Sequence, residues 1–165
     1  MVNMNTINRE DVRKLLSEIC DPEIPVVTIE EIGMLRDVIV RDDVCEVFIT
    51  PTYTACPAME IIEKDIKELL YRHGIPHVKV TLVYSPAWTT EWINDIAREK
   101  LRAYGIAPPL HRSCHNWLAP GTEEIECPRC GSKDTALVSR FGSTACKSLY
   151  SCNTCKEPFE HFKCH

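Results

Sequence analysis

The sequence predicts an α/β (α+β) fold, in which a small three-stranded sheet with helices in the order αββαβα precedes a cysteine-rich module. Two observations carry this prediction. Apolar residues at helical spacing alternate with β-rich runs up to residue 105, and two C-x2-C motifs lie within the last 39 residues. A chain of 165 residues is long enough for one ordinary domain and a small module. We therefore expect a first domain at 1–105, a linker at 106–126 and a second domain at 127–165.

An amphipathic helix is predicted near the start of the chain. Asn8, with Asp11 three residues later, resembles an N-cap with an acidic first turn, and the apolar residues that follow have helical spacing. The helix must end at residues 20–25, because two prolines there forbid helical geometry. Asp21 and Glu23 in this turn could form a paired-carboxylate site, although such residues more often cap a turn.

Three strands are predicted for the sheet. Residues 34–40 and 44–50 are β-rich and are separated by a short polar turn, which indicates a hairpin. In the second strand Cys45 shares a face with apolar neighbours, so we expect it in the core. Residues 78–82 alternate between apolar and polar side chains, which predicts a third strand with one buried face.

The stretch at 50–58, Thr-Pro-Thr-Tyr-Thr-Ala-Cys-Pro-Ala, joins the second strand to the second helix. Pro57 suits the first helical position, which would make Cys56 the N-cap. Free backbone N–H groups and the helix dipole at that end favour the thiolate, the form that attacks electrophiles and binds metals. The alternative is a small buried apolar residue at a turn, since free cysteines are often buried. Cys56 is thus a candidate functional thiol.

A second strand-to-helix junction is predicted at residues 84–90, where Thr89 or Thr90 would cap the third helix. Sites in α/β sheets tend to form at such loops, so the two junctions could border one cleft. Trp88 and Trp92 would be its walls, although tryptophans at helical spacing are more often core residues. The apolar stripe of the third helix comprises Ile93, Ile96, Ala97, Leu101 and Tyr104.

The linker at 106–126 contains prolines and a glycine and has little periodicity. Within it lies His-Arg-Ser-Cys-His at residues 111–115. Cys114 and His115 could contribute to a metal site, but one short cluster cannot close such a site by itself.

The strongest chemical signal in the sequence is a C-x2-C motif followed by 21 residues and a second C-x2-C motif. Each motif supplies two thiolates from one turn, and two such turns complete a tetrahedral S4 site. So short a module buries too little surface to fold unaided, so the metal would stabilise it. We favour a structural zinc ribbon, with rubredoxin-type iron or a cluster as the alternative. The four ligands would be Cys127, Cys130, Cys152 and Cys155.

Two further cysteines, Cys146 and Cys164, exceed what one tetrahedral site requires. They could pack within the ribbon or lie at a frayed end. The alternative is a labile second site that these thiols form with Cys56 or Cys114.

Composition excludes several classes of function. Residues 1–126 carry 13 Lys and Arg against 21 Asp and Glu, a net charge of −8, whereas residues 127–165 carry 6 against 3, a net +3. The larger part is therefore not expected to bind nucleic acid, since binding requires concentrated positive charge. The small basic part keeps that possibility open, although a net charge of +3 supports it only weakly. We expect no membrane span and no signal peptide, and hence a cytoplasmic protein. Ten cysteines in that compartment indicate metal and thiol chemistry rather than disulfides.

Several motifs carry a family resemblance. Asp-Pro-Glu-Ile-Pro-Val from residue 21, Ile-Gly-Met from residue 32 and the stretch at 50–58 resemble the SufT-type domains of iron–sulfur protein maturation. With Ser-Pro-Ala-Trp-Thr-Thr from residue 85, Tyr-Gly-Ile-Ala-Pro-Pro from residue 104 and the tail from residue 141, nearly the whole chain resembles the PaaD (PaaJ) family. Proteins of that family are accessory to the bacterial phenylacetyl-CoA epoxidase system.

The resemblance implies a factor that assists iron or iron–sulfur cluster assembly or insertion for a multicomponent oxygenase in aerobic phenylacetate degradation. The chain has neither ferritin-like Glu-x-x-His helices nor a nucleotide-binding glycine loop, so we expect no catalysis by it alone. Cys56 would be the functional cysteine, holding a transient cluster, and Asp21 and Glu23 would shape its cleft. The implied partners are oxygenase or reductase subunits and the iron–sulfur assembly machinery. The alternative is a non-catalytic structural subunit or scaffold.

Overall fold

The structure, a computed structural model, describes residues 7–41, 44–109 and 124–163. The chain divides into two compact units, Met1–Trp88 and Thr89–His165. Several predicted features lie outside the described residues, namely the turn at 42–43, residues 110–123 of the linker with Cys114 and His115, and Cys164. No helix in the described part of the chain is long and apolar enough to cross a membrane.

Two helices and five strands lie in the described part of the first unit. In chain order they are α1 (Arg9–Leu16), β1 (Cys20–Asp21), β2 (Ile24–Thr28), β3 (Leu35–Arg41), β4 (Val44–Ile49), α2 (Ala58–Arg72) and β5 (Val78–Leu82).

The predicted three-stranded sheet is present, with the order β3-β4-β5. β3 and β4 form the expected antiparallel hairpin, and β5 runs parallel to β4. α1 packs against β3 and α2 against β5. Cys45, Val47 and Ile49 are fully buried, which confirms the predicted core position of Cys45. The predicted buried face of β5 is only half-buried at Val78 and Val80 and exposed at Leu82, because β5 is an edge strand of the sheet.

Local signals set the helix boundaries. The Asn8 side chain accepts hydrogen bonds from the backbone N–H groups of Glu10 and Asp11, and Asp11 accepts one from the Asn8 backbone, which completes a capping box. α2 begins one residue later than predicted, at Ala58, because Pro57 itself is the N-cap and makes no side-chain cap hydrogen bond. Cys56 therefore lies in the turn that precedes the N-cap.

Within residues 89–109 and 124–163, the second unit contains a short 3-10 helix, one α-helix and four strands. They are the 3-10 helix (Thr90–Trp92), α3 (Asp95–Tyr104), β6 (Ile106–Ala107), β7 (Thr135–Ser139), β8 (Lys147–Cys152) and β9 (Pro158–Phe162). The four strands form one sheet with the order β6-β9-β8-β7. The antiparallel β7-β8-β9 part of this sheet is the predicted ribbon.

The division into units differs from the predicted boundary after residue 105. Ile106 and Ala107, predicted as linker, pair in parallel with β9 and extend the ribbon sheet. α3 packs against β6 and so belongs to the same compact unit as the ribbon. A two-residue strand has no periodicity of its own, so the sequence alone could not reveal this pairing.

The third helix also differs from its prediction. Thr89 caps only the 3-10 helix, whereas the Asn94 side chain accepts the backbone N–H of Ala97 and caps α3. Ile96 and Tyr104, predicted to be on the buried stripe, are exposed.

Candidate metal centre and candidate functional thiols

The two C-x2-C motifs form matching turns at one end of the ribbon. The Gly131 N–H donates to the Cys127 carbonyl at 2.9 Å, and the Lys156 N–H donates to the Cys152 carbonyl at 3.0 Å. Gly131 and Lys156, each directly after the second cysteine of its motif, both have left-handed φ angles, of 74° and 65°. Such a φ is unfavourable for lysine, so the fold holds Lys156 in this turn at a cost of about 1 kcal/mol.

These turns bring the four predicted ligands together. All four sulfur atoms lie within 4.8 Å of one another. The Sγ atoms of Cys127 and Cys155 are 3.8 Å apart, and those of Cys130 and Cys152 are 3.5 Å apart. A tetrahedral site with Zn–S bonds of about 2.3 Å requires sulfur–sulfur separations of about 3.8 Å. The cluster therefore has the donor set and the size to hold a tetrahedral metal ion.

The thiols of the cluster differ in how readily they ionise. The Cys155 backbone N–H, which donates to the Cys152 sulfur, lowers the pKa of Cys152 to about 6. The Ser132 backbone N–H acts to lower the pKa of Cys130, but burial and the neighbouring cysteine sulfurs outweigh it and raise that pKa to about 12. Protein groups alone therefore favour ionisation of Cys152 but oppose ionisation of Cys130. A bound metal ion supplies the positive charge that lets all four thiols ionise.

The ligands are also part of the core of the ribbon. Cys127 and Cys152 are buried together with Tyr150 and Phe159, whose rings stack with centroids 5.8 Å apart. The same cluster includes Ile125 on the approach to the first turn. The two cysteine turns and this apolar cluster of the ribbon are therefore one packed unit.

Cys56 occupies the turn between β4 and α2. Its backbone N–H donates to the Tyr53 carbonyl at 3.2 Å, and its own carbonyl accepts the N–H of Met59 at 3.4 Å. The residue is 9% exposed, so the thiol lies just below the surface. Upstream in the same turn, the Thr50 hydroxyl is buried with no hydrogen-bond partner in the described structure. The functional role of Cys56 stays a prediction.

Asp21 acts as a turn cap, as the simpler interpretation of its sequence context expected. Its Oδ1 accepts the backbone N–H groups of Glu23 at 2.7 Å and Ile24 at 3.0 Å, and the residue is buried. Glu23 is half-buried beside it. Participation of these two carboxylates in a functional cleft stays a prediction.

Trp88 and Trp92 were the predicted cleft walls. The Trp88 indole is buried and donates to the Ile32 carbonyl at 3.0 Å, which makes it a core residue of the first unit. Trp92 is half-buried in the second unit.

Cys146 is buried at the start of β8, and its sulfur lies 3.1 Å from the Thr144 hydroxyl. The loop before it is fixed by Glu160, which accepts the Ser143 backbone N–H and forms an ion pair with Lys147 at 3.0 Å. Sequence reasoning missed this ion pair, because only the strand register shows which lysine faces which glutamate. Cys164, the other candidate thiol of the ribbon, lies outside the described residues.

Two family models match the chain, one within each of the two compact units. Residues 9–84 match a family model described as an iron–sulfur cluster assembly protein, and residues 113–163 match one described as the PaaD zinc β-ribbon domain. A protein of Escherichia coli (strain K12), named as one of the subunits of 1,2-phenylacetyl-CoA epoxidase, is 50% identical over 154 residues, covering 93% of the chain and 92% of that protein. An Fe–S protein maturation auxiliary factor of Porphyromonas gingivalis is 31% identical over 94 residues, covering 56% of the chain and 89% of that protein.

Two solved structures resemble part of the chain. A DUF59 domain from Bacillus anthracis has a TM-score of 0.53 and 25% identity, covering 56% of the chain and 90% of that domain. A conserved hypothetical protein from Thermotoga maritima has a TM-score of 0.50 and 29% identity, covering 58% of the chain and 94% of that protein.

Proposed function

The chain belongs to the PaaD family, and on that premise we propose that it is an accessory factor of a multicomponent oxygenase that epoxidises the ring of phenylacetyl-CoA. Its task is to assist the assembly or insertion of iron or an iron–sulfur cluster, and it does not catalyse the oxygenation alone. Two similarities support this proposal. The relative that covers nearly the whole chain is named as an epoxidase subunit, and the iron–sulfur assembly model covers residues 9–84. We place this activity in the cytoplasm.

We assign a structural zinc ion to Cys127, Cys130, Cys152 and Cys155. The sulfur separations of 3.5 and 3.8 Å fit a tetrahedral metal ion, and the match to a zinc β-ribbon model supports zinc over iron. In this assignment the metal stabilises the ribbon, and the ribbon docks a client, which is an oxygenase or reductase subunit.

The observation that carries the proposed function is the position of Cys56. It is a nearly buried thiol in the turn before α2, inside the region that matches the assembly family. Pro57 gives α2 no side-chain cap, and the positive end of the helix dipole, next to Cys56, would favour a negatively charged ligand. Cys56 would hold the iron or the cluster as cargo, with Cys146 and Cys164 as further candidate ligands and Asp21 and Glu23 shaping the cleft.

The experiment compares two cysteine deletions in the same unit. Cys56→Ala should lower phenylacetyl-CoA epoxidase activity at least tenfold in cells that carry the variant as their only copy. Cys45→Ala is the matched control, because burial raises the pKa of that core thiol to about 11 and leaves it inert. Cys45→Ala should keep near-normal activity at equal protein level. Normal activity of Cys56→Ala at normal protein level would reject the maturation role.

The alternative is a non-catalytic structural subunit or scaffold of the oxygenase complex. The name of the E. coli relative as a subunit favours it. In that case Cys56→Ala would leave epoxidase activity unchanged, whereas deleting the whole chain would prevent purification of an intact complex.

A further inference from the structure

We propose that a pocket in the second unit binds a carboxylate carried on a small apolar group. The pocket has a volume of about 240 Å³ and lies beside α3 and β6. Its lining includes Arg98, Arg102, Pro108, Pro109, Ile125 and Glu126. The pocket shares Ile125 with the apolar cluster around Cys127, but none of its lining residues is a cysteine, and the proposal does not depend on the proposed function.

The charges around the pocket do not balance. Two guanidinium groups and one carboxylate line it, which leaves one net positive charge. Arg102 contacts Glu126 at 3.4 Å, and both side chains are partly exposed, so this ion pair is weak. One monovalent anion would neutralise the lining.

Arg98 is the stronger reason to expect an anion. It is only 8% exposed, and its guanidinium donates to the backbone carbonyls of Pro109 and Thr90. Its Nε has no hydrogen-bond partner among the residues that the structure describes. Burial lowers the pKa of Arg98, and Asp95 opposes this only through space. Buried charges are normally paired, so a cation held by neutral carbonyls is an incomplete arrangement that a bound carboxylate would complete.

The other walls define the body of the ligand. Ala107 and Ile125 are buried and apolar, and two successive prolines, Pro108 and Pro109, have no backbone N–H to offer. The volume is below the usual range for drug-sized ligands and above that of a cavity that binds benzene. A group the size of one aromatic ring or a short branched chain therefore fits, with its carboxylate at the arginines.

The ligand could be a free small acid or the C-terminal residue of a partner chain, because both present a carboxylate on an apolar group. Benzoate and 3-methylbutanoate probe the first source, and the tripeptide Gly-Gly-Leu probes the second. Benzamide and the C-terminal amide of the tripeptide are the uncharged controls. Binding is measured on the full-length zinc-loaded protein by two-dimensional amide NMR.

We expect saturable shifts at Ala107, Ile125 and Glu126 with at least one carboxylate probe, and at least tenfold weaker binding of its amide. Arg102→Gln should weaken that binding about tenfold, as expected for loss of a charge-assisted hydrogen bond. Arg72→Gln removes one exposed positive charge in the first unit and should leave binding unchanged. Binding of the acids alone would identify a small molecule, and binding of the tripeptide alone would identify a chain terminus.

The absence of saturable shifts with every carboxylate at concentrations up to about 10 mM, where even very weak binding is detected, would overturn the proposal. Equal binding of acids and amides would overturn it too, because the arginines would then not distinguish a carboxylate from an uncharged amide. If Arg102→Gln and Arg72→Gln weakened carboxylate binding equally, the binding would depend only on the net charge of the protein, which would also overturn the proposal. Arg98→Lys, which keeps the charge but loses the planar fork, provides a second variant should Arg102 prove dispensable.

Discussion

The ion pair between Lys147 and Glu160 should be the most costly one to break in the ribbon. Its atoms are 3.0 Å apart, and the two side chains are only 4% and 23% exposed. Burial acts to raise the pKa of Glu160, but the Ser143 backbone N–H and Lys147 outweigh it and hold that pKa below its ordinary value. Glu160→Gln keeps the size of the side chain and an acceptor for the Ser143 N–H, but leaves the buried ammonium of Lys147 without a counter-charge.

The expected loss of stability depends on how buried the ion pair is rather than on the distance between its atoms. Removing one partner of a buried pair costs about 3–5 kcal/mol, and the partial exposure of Glu160 puts this case near 3 kcal/mol. The cross-strand pair Lys79–Glu46 in the first unit is shorter, at 2.7 Å, but its side chains are 67% and 27% exposed. Glu46→Gln should therefore cost less than about 1 kcal/mol.

Native-state hydrogen exchange in excess zinc measures both effects, at amides of β8 and β9 for the first pair and of β4 and β5 for the second. The double variant Lys147→Met with Glu160→Gln removes both charges and should recover most of the lost stability. Equal losses for Glu160→Gln and Glu46→Gln would refute the reasoning from burial. A double variant as unstable as Glu160→Gln would show that the ion pair is not the cause.

Three further outcomes are expected. Cys127→Ser should abolish tight zinc binding and the exchange protection of β7–β9, as measured by metal analysis and NMR; a ribbon that remains folded without metal would contradict the S4 assignment. Burial of His161, assisted by Lys163, lowers its pKa from 6.5 to about 4, so the unfolded chain binds a proton more readily between these pH values. The free energy of unfolding should thus fall by up to about 3 kcal/mol as the pH drops through this window. Denaturant titrations at several pH values should show that His161→Gln lacks this component of the pH dependence. The same pH dependence in the wild type and the variant would contradict the prediction. Gly142→Ala would place a Cβ 2.5 Å from the Glu160 Oε1, which is a steric clash. The melting temperature of this variant should therefore fall by several degrees, and an unchanged value would show that the Glu160 carboxylate moves away freely.

Features that depend on neighbouring residues were predictable from the sequence. The N-cap at Asn8 and the buried position of Cys45 follow from local patterns, and the structure has both. The four cysteines were identified because each pair lies within a single turn, so their spacing carries the geometry. The start of α2 was wrong by one residue, because Pro57 can serve either as N-cap or as first helical residue.

Features that depend on distant pairing were not predictable. β6 exists only through its pairing with β9, and the Lys147–Glu160 pair exists only in the register of β8 against β9. The expected stripe at α3 is only partly right, because Ile93, Ala97 and Leu101 are buried, whereas Ile96 is exposed and Arg98 is buried instead. Such positions are decided by the tertiary packing of the second unit, which no periodicity in α3 encodes.

The most direct test of the proposed role is the metal and acid-labile sulfide content of protein purified without oxygen and incubated with iron and sulfide. It is measured for the wild type, Cys56→Ala and Cys45→Ala. The proposal predicts zinc in all three proteins, with iron and sulfide retained by the wild type and Cys45→Ala and lost from Cys56→Ala. Zinc without iron or sulfide in the wild type, or equal iron in all three, would contradict cluster handling at Cys56.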